Sequence, residues 1–360
     1  ALFERLPGVA PDARRATALA WVAVNGAGLD APAQAALVDR ALAVIDAPED
    51  AEFAVYEMGA GKLGDIAYLT SIVTPNVALV NNIAPAHIER MGSLLGIAET
   101  KGAIYEALPD DGIAVVNVDD AFATYFLERI GRRGVLRFGI ENNADVTTKQ
   151  LQLYAEQSHF ELFCPAGRAD ITLAFSGRHN VMNALAATAM ALAAGASFEA
   201  VIAGLQRARP VAGRQAAMLL NNGAVLIDDS YNANPGSVAA AIDSLAAACA
   251  LDNRQSVLVL GDMAELGETA TALHAQIGLA AKTQGIALLY TCGRLSAAAS
   301  AAFGPQARHF NERDELIVAL KQMATANQRI LVKGSRSSRM DEIVKALVLQ
   351  FGSKENTDAA

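Results

Sequence analysis

Several scarcities narrow the field at the outset. Cysteine occurs only at Cys164, Cys249 and Cys292, widely spaced and with no Cys-x-x-Cys pair, so no disulfide framework or thiolate metal site is available. That usage fits a reducing cytoplasm. An excess of positive charge is missing: the net charge is −9, which argues against a nucleic-acid partner and requires any anionic ligand to be held by local groups. No apolar run is long enough to span a bilayer. The richest, Val181 to Ala196, is alanine-heavy and interrupted by Asn183, so it reads as a buried helix and predicts no membrane insertion. The opening residues ALFERLPG carry charge where a secretory signal needs an apolar core. Ala1 rather than Met stands first, which leads us to expect a processed chain or a piece of a longer one. Lysine is absent from residues 1–50, an Ala- and Arg-rich stretch with weak helical periodicity from Asp12 to Ile45 and no assignable chemistry.

What is present is a globular composition, 52% hydrophobic, in a chain of 360 residues, long enough for two or three domains. From Glu52 onward, short apolar runs alternate with helical stretches. EFAVYE, NVALVNN, GIAVVNV and GVLRFGI read as strands, with helices over Met91 to Leu108 and Asp120 to Ile130. Between Asp145 and Phe175 the pattern turns to antiparallel alternation, followed by helices over His179 to Ala194 and Phe198 to Arg207. Pro210-Val211-Ala212-Gly213 interrupts helix and strand alike and marks a domain boundary. Beyond it AVLIDD, SVLVLGD, ALLYTCG and RILVKGS repeat the strand-helix rhythm. The fold class is therefore α/β, with two open, mostly parallel, helix-covered sheets, and a ligand is expected at the carboxyl ends of their strands. We divide the chain into an unassigned segment 1–46, a central domain 47–212, a C-terminal domain 213–352 and a disordered tail 353–360. A monomer is the expectation.

The stretch YEMGAGKLG invites a phosphate-loop reading and fails it. A loop that wraps phosphate needs Gly-x-x-x-x-Gly-Lys-Ser/Thr, and with Lys62 as the lysine the first glycine falls on Tyr56 and the hydroxyl on Leu63. Gly59, Gly61 and Gly64 instead suit a strand-to-helix turn.

Other clusters carry more chemistry. Glu57 at one strand end and His87 just past the next would suit a shared Mg²⁺, the bland alternative for a lone His at a strand end being a cap. Lys101, inside the following helix, is a solvated charge unless something recruits it. In GRHNVMNALAA, Asn180 and Asn183 lie three apart on one helix face, where two amides can read an adenine edge or Asn180 can simply cap the helix. IDDSYNANPGS follows a strand with two adjacent acids and several amides, suited to a ribose or base, or to an Asx turn. LVKGSRSSRM concentrates Lys333, Ser335, Arg336 and Arg339 after a buried strand, as an anion site or a solvated basic turn.

In their order along the chain, EMGAGKLGDIA, VNNIAPAHIERMGS, ETKGAIYEAL, GRHNVMNALAA, DDSYNANPGS, GDMAELG and VKGSRSSRMDE closely resemble the Mur ligase family. The resemblance runs from about Ala47 to Leu349 and is nearest the branch that adds D-alanyl-D-alanine to UDP-N-acetylmuramoyl-tripeptide. It implies ATP-dependent amide formation through an acyl phosphate in peptidoglycan precursor synthesis, with ATP and Mg²⁺. It also implies roles: Glu57, His87 and a carbamylated Lys101 at the metal; Asn180 and Asn183 at adenine; Arg214 at the ATP phosphates; Asp229 at ribose with Asn232 beside the nucleotide. Lys333, Ser335 and Arg336 would face the acceptor dipeptide or the acyl phosphate. In the same family a Gly-x-x-Gly-Lys-Thr-type loop stands upstream of Glu57, and residues 1–46 contain none. The chain by itself is accordingly expected to bind ATP weakly and to ligate little, the alternative being a non-catalytic nucleotide-binding module of the same fold.

Overall fold

The computed structural model describes residues 52–84 and 91–353. The segment 1–46, His87 and the tail beyond Ser353 lie outside the described residues. The architecture follows from where alternate strand residues point. In the first sheet β1 (Val77–Val80), β2 (Ile113–Asn117) and β3 (Gly134–Phe138) are parallel, in that spatial order. Ala78, Val80, Ala114 and Val116 face α2 (Leu94–Glu106) and α3 (Ala123–Ile130), packing on Ala98, Tyr105 and Phe126. Their neighbours Val77, Leu79 and Val115 face the other way, onto Val181 and Leu185 of α4 (Arg178–Ala193). Both faces are covered, which is why these strands read as unbroken apolar runs.

A three-stranded antiparallel sheet, β4 (Thr147–Leu153), β5 (Ser158–Cys164) and β6 (Gly167–Leu173), follows, and it shares the core of α4 and α5 (Phe198–Arg207). The last sheet has six strands. Five of them run parallel: β8 (Val225–Asp229), β9 (Gln255–Gly261), β10 (Leu288–Cys292), β11 (Ala307–Phe310) and β12 (Gln328–Lys333). An antiparallel edge strand, β7 (Ala216–Leu219), completes the order β11-β10-β9-β12-β8-β7. Leu258, Leu260 and Leu331 pack under α6 (Pro235–Asp252), α7 (Ala270–Thr283) and α8 (Ala297–Phe303). Val257, Val259, Ile330 and Val332 pack under α9 (Arg313–Met323) and α10 (Asp341–Phe351). Because β12 inserts between β8 and β9, the order switches there, and the carboxyl ends of β8 and β12 open as a crevice.

One expected strand is not formed. EFAVYE carries no ladder: residues 53–60 precede α1 (Asp65–Ile72) without strand pairing, with Val55 91% exposed. An apolar alternating run becomes a strand only when a neighbour accepts its backbone groups, and among the described residues β1 pairs with β2 alone. The glycine turn itself is real. Asp65 Oδ2 accepts the backbone N–H groups of Gly61 (2.8 Å) and Lys62 (2.9 Å), so the YEMGAGKLG stretch launches a helix.

The turn after β2 is held by one carboxylate. Asp119 accepts the N–H groups of Ile140 (2.7 Å), Glu141 (3.0 Å) and Asn142 (2.8 Å), tying β2 to the loop beyond β3. Burial pushes this carboxyl up, but the donors together outweigh it and hold it below its ordinary value. A depressed folded-state pKa stabilises the fold above the unfolded value and loses that contribution as pH falls through the folded one. Asp119→Asn is expected to cost about 2 kcal/mol at neutral pH. In urea unfolding, the gap between wild type and variant should close below about pH 4; a gap that persists undiminished at pH 3 would contradict the assignment.

Candidate active-site cleft

The register of two parallel strands builds the centre of the site. Lys333, last in β12, is the partner of Asp229, last in β8, so their side chains emerge side by side. Lys333 Nζ donates to Asp229 Oδ2 at 2.7 Å and to the carbonyl of Asn232 at 3.0 Å, with the lysine 3% and the aspartate 8% exposed. Burial pushes the Asp229 carboxyl up, and the neighbouring ammonium pulls it part of the way back.

Strand alternation sends Asp228 the other way, and it has a different task. Its carboxylate accepts the N–H of Gly213 (2.9 Å) and the hydroxyl of Ser230 (2.6 Å). Tyr231 N–H then donates to Gly213 O at 3.0 Å. The linker between α5 and β7 is thus sewn to the loop after β8, which places Arg214 over the Tyr231 ring, its guanidinium carbon 4.4 Å from the centroid. From the loop after β12, Arg336 approaches the same ring at 5.7 Å.

The opposite wall comes from the first half of the chain. Asn117, at the end of β2, donates to Asn81 O at 2.9 Å, and Asn81 Nδ2 donates to Asn183 Oδ1 at 2.8 Å. Asn183 keeps its own NH₂ without an acceptor among the described residues. Asn180 donates to Ser176 O (2.8 Å) and Gln215 Oε1 (3.2 Å), and so is partly a local capping group. Burial holds the His179 imidazole below its ordinary value, opposed by Gln215 and Asp229. These walls enclose a cleft of about 1370 Å³, at whose base α6 begins with a capping box between Asn234 and Ser237 and Pro235 in its first turn.

The structure brings together Asn180, Asn183, Arg214, Asp229, Asn232 and Lys333, with Glu57 on the same rim. Glu57 is exposed, in irregular chain rather than at a strand end. Lys101 stands in α2 behind the rim, Nζ 3.3 Å from Asn82 O; burial lowers its pKa and the Asp120 carboxylate opposes this. Ser335 is buried and turned away: its N–H donates to Asp262 O at 2.9 Å and its hydroxyl meets those of Ser337 (3.1 Å) and Ser338 (3.2 Å). Among the described residues, no three His, Cys, Asp or Glu side chains gather as a metal site. Sequence reasoning overlooked Tyr231, Asn81 and Gln215. Only Tyr231 left a signal, an aromatic ring inside an otherwise polar loop at a strand end.

Family models match most of the chain: the Mur ligase middle domain over residues 31–191, and the Mur ligase, glutamate ligase domain over residues 213–336. The UDP-N-acetylmuramoyl-tripeptide--D-alanyl-D-alanine ligase of Escherichia coli (strain K12) is 43% identical over 299 residues, 82% of this chain and 65% of that protein. Its counterpart in Haemophilus influenzae is 36% identical, over 85% of this chain and 66% of that one. The chain thus spans slightly less than two thirds of the length of these two curated relatives. A crystal structure of MurF from Acinetobacter baumannii superposes with a TM-score of 0.80 at 30% identity, over 87% of this chain and 68% of the other.

Proposed function

The chain belongs to the Mur ligase family, and from that premise we propose that its cleft binds ATP and supports amide formation between UDP-N-acetylmuramoyl-tripeptide and D-alanyl-D-alanine in the cytoplasm, as a step in cell-wall precursor synthesis. The observation that carries the reading is the convergence of two amides, a buried acid-lysine pair and Arg214 on one cleft at the strand switch point, with Arg336 reaching the Tyr231 ring on its wall. In this reaction class a substrate carboxylate oxygen attacks the γ-phosphorus, ADP leaves, and the amine then displaces phosphate from the acyl carbon. Asn183 supplies an amide edge for the base, Asp229 a carboxylate for the ribose, and Arg214 charge for the phosphates. Lys333 sits where an ammonium steadies an anionic oxygen, once Asp229 turns to the sugar.

Glu57 offers the hard oxygen that Mg²⁺ prefers, beside the cleft. Lys101 as an ammonium cannot be a ligand. Burial favours its neutral amine, the form that adds CO₂, and the resulting carbamate has the oxygens the resemblance calls for. Magnesium bound there supplies charge neutralisation among phosphates. Intact-mass measurement under CO₂ should find one carbamate, and Lys101→Arg should abolish it.

Mg-ATP at about a hundred times its dissociation constant should stabilise the chain by about 2.7 kcal/mol. That corresponds to a rise of a few degrees in melting temperature, and no rise at saturation would sink the nucleotide reading. A second reading is nucleotide binding without turnover, by a non-catalytic module of the same fold. ADP release that depends on both D-alanyl-D-alanine and the UDP-linked tripeptide decides between them: turnover selects the ligase, and binding without turnover selects the module.

A further inference from the structure

Tyr231 is 46% exposed on the cleft wall, and two guanidinium groups share its ring. They arrive from separate segments, Arg214 from the linker before β7 and Arg336 from the loop after β12. Neither side chain donates a hydrogen bond to, or forms an ion pair with, any described residue, and the Asp341 carboxylate acts on Arg336 only at longer range. Arg339, in the same loop as Arg336, is by contrast paired with Glu342. Two cations brought to one ring repel each other, and each attraction to the π face offsets that only in part. Their planar donor forks remain unused, and each matches a phosphate. An anion with two adjacent charged groups would relieve the repulsion and take both forks at once, which a single phosphate does less well.

We propose that Tyr231 is a positioning residue that holds Arg214 and Arg336 as a pair for linked phosphates, so that the cleft selects a diphosphate over a monophosphate. The proposal rests on the nucleotide reading for its natural ligand but not for its test. The phenol hydroxyl has no part in it; the ring face does. The backbone N–H of Tyr231 fixes the ring to Gly213 whatever the side chain, so a substitution removes the platform and leaves the stitched linker in place.

Isothermal titration of the 360-residue chain with adenosine, AMP, ADP and inorganic pyrophosphate reads this directly. Wild type should bind ADP about tenfold or more tighter than AMP. Tyr231→Phe should keep that ratio. Tyr231→Leu should weaken ADP and pyrophosphate about tenfold while leaving adenosine unchanged. Arg214→Ala and Arg336→Ala should each give a similar loss, and their combination less than the product of the two. Pyrophosphate bound equally by wild type and Tyr231→Leu overturns the proposal, as does pyrophosphate bound by neither. A loss shared equally by adenosine and ADP overturns it too, since the ring would then be packing on the base. If pyrophosphate binds in the expected pattern but no nucleotide does, the pairing stands and the nucleotide reading fails. Melting temperature checks that the leucine variant folds; should it not, the non-additivity of the two arginine variants tests the same pairing.

Discussion

Lys333→Met is expected to cost about 3–5 kcal/mol of stability at neutral pH, because it leaves the Asp229 carboxylate buried without its counter-charge. Lys333 occupies the end of a strand whose residues are all buried, so water does not replace the lost ammonium cheaply. The carboxylate has one escape, which is protonation. Its folded-state pKa already lies above the ordinary value through burial, and loss of the ammonium raises it further. The sign follows: the folded variant binds its proton more tightly than the unfolded chain. The variant is therefore least penalised below about pH 4, and its deficit grows as pH rises toward the folded-state pKa. Denaturant unfolding at pH 7 and pH 4 should show a large deficit and a small one. Combining Lys333→Met with Asp229→Asn should recover part of the pH 7 loss, since the orphaned charge is then gone. A single-variant loss below about 1 kcal/mol, unchanged with pH, would mean the pair is not buried as described.

Much of this scaffold is legible in the sequence, and the reason is specific. SVLVLGD and RILVKGS become strands covered on both faces, so their centres, Val257 to Leu260 and Ile330 to Val332, are uniformly apolar and nothing competes with the strand reading. EFAVYE looks the same on paper and fails, because pairing is a property of the neighbour and not of the run. The helix over Phe198 to Arg207 is legible to the residue because Ser197 caps it, accepting from Ala200 N–H at 3.2 Å. The site is half legible. That two adjacent acids close a strand is written in IDDS, and alternation says they face opposite ways. Which of them meets a lysine is settled only by the register of β12 against β8. The ring of Tyr231 left a signal in that loop, but its partners did not: Arg214 and Arg336 come from segments far apart in sequence, and a ring between two arginines is a tertiary fact. Ser335 is a different case. Its position in a basic loop suggests a ligand contact, but a serine cluster inside that loop takes its hydroxyl.

Gly177→Ala is expected to cost about 2–3 kcal/mol and to impair ligand binding with it. Gly177 precedes α4 at φ 93°, ψ 143°, a backbone state that a Cβ disfavours. A Cβ there would also lie 2.5 Å from Ser244 Oγ on α6 and 2.8 Å from Cε1 of His179. The two halves of the chain approach each other at this point, so the added methyl must displace either the serine of one half or the imidazole at the start of the helix that carries Asn180 and Asn183. Gly195→Ala separates the contributions. Its φ is 89°, yet nothing lies within 4 Å of an added Cβ, so it bears the conformational strain without the collision. The control should lose about 1 kcal/mol and keep nucleotide affinity, whereas Gly177→Ala should lose more and weaken ADP about tenfold. Equal losses in the two variants, with affinity intact in both, would show that Ser244 and His179 yield freely and that the close approach of the halves does not shape the cleft. Unequal losses would place the limit on cleft geometry at a single backbone position, where only a hydrogen atom fits between the helix that carries Asn180 and Asn183 and the helix that begins at Pro235.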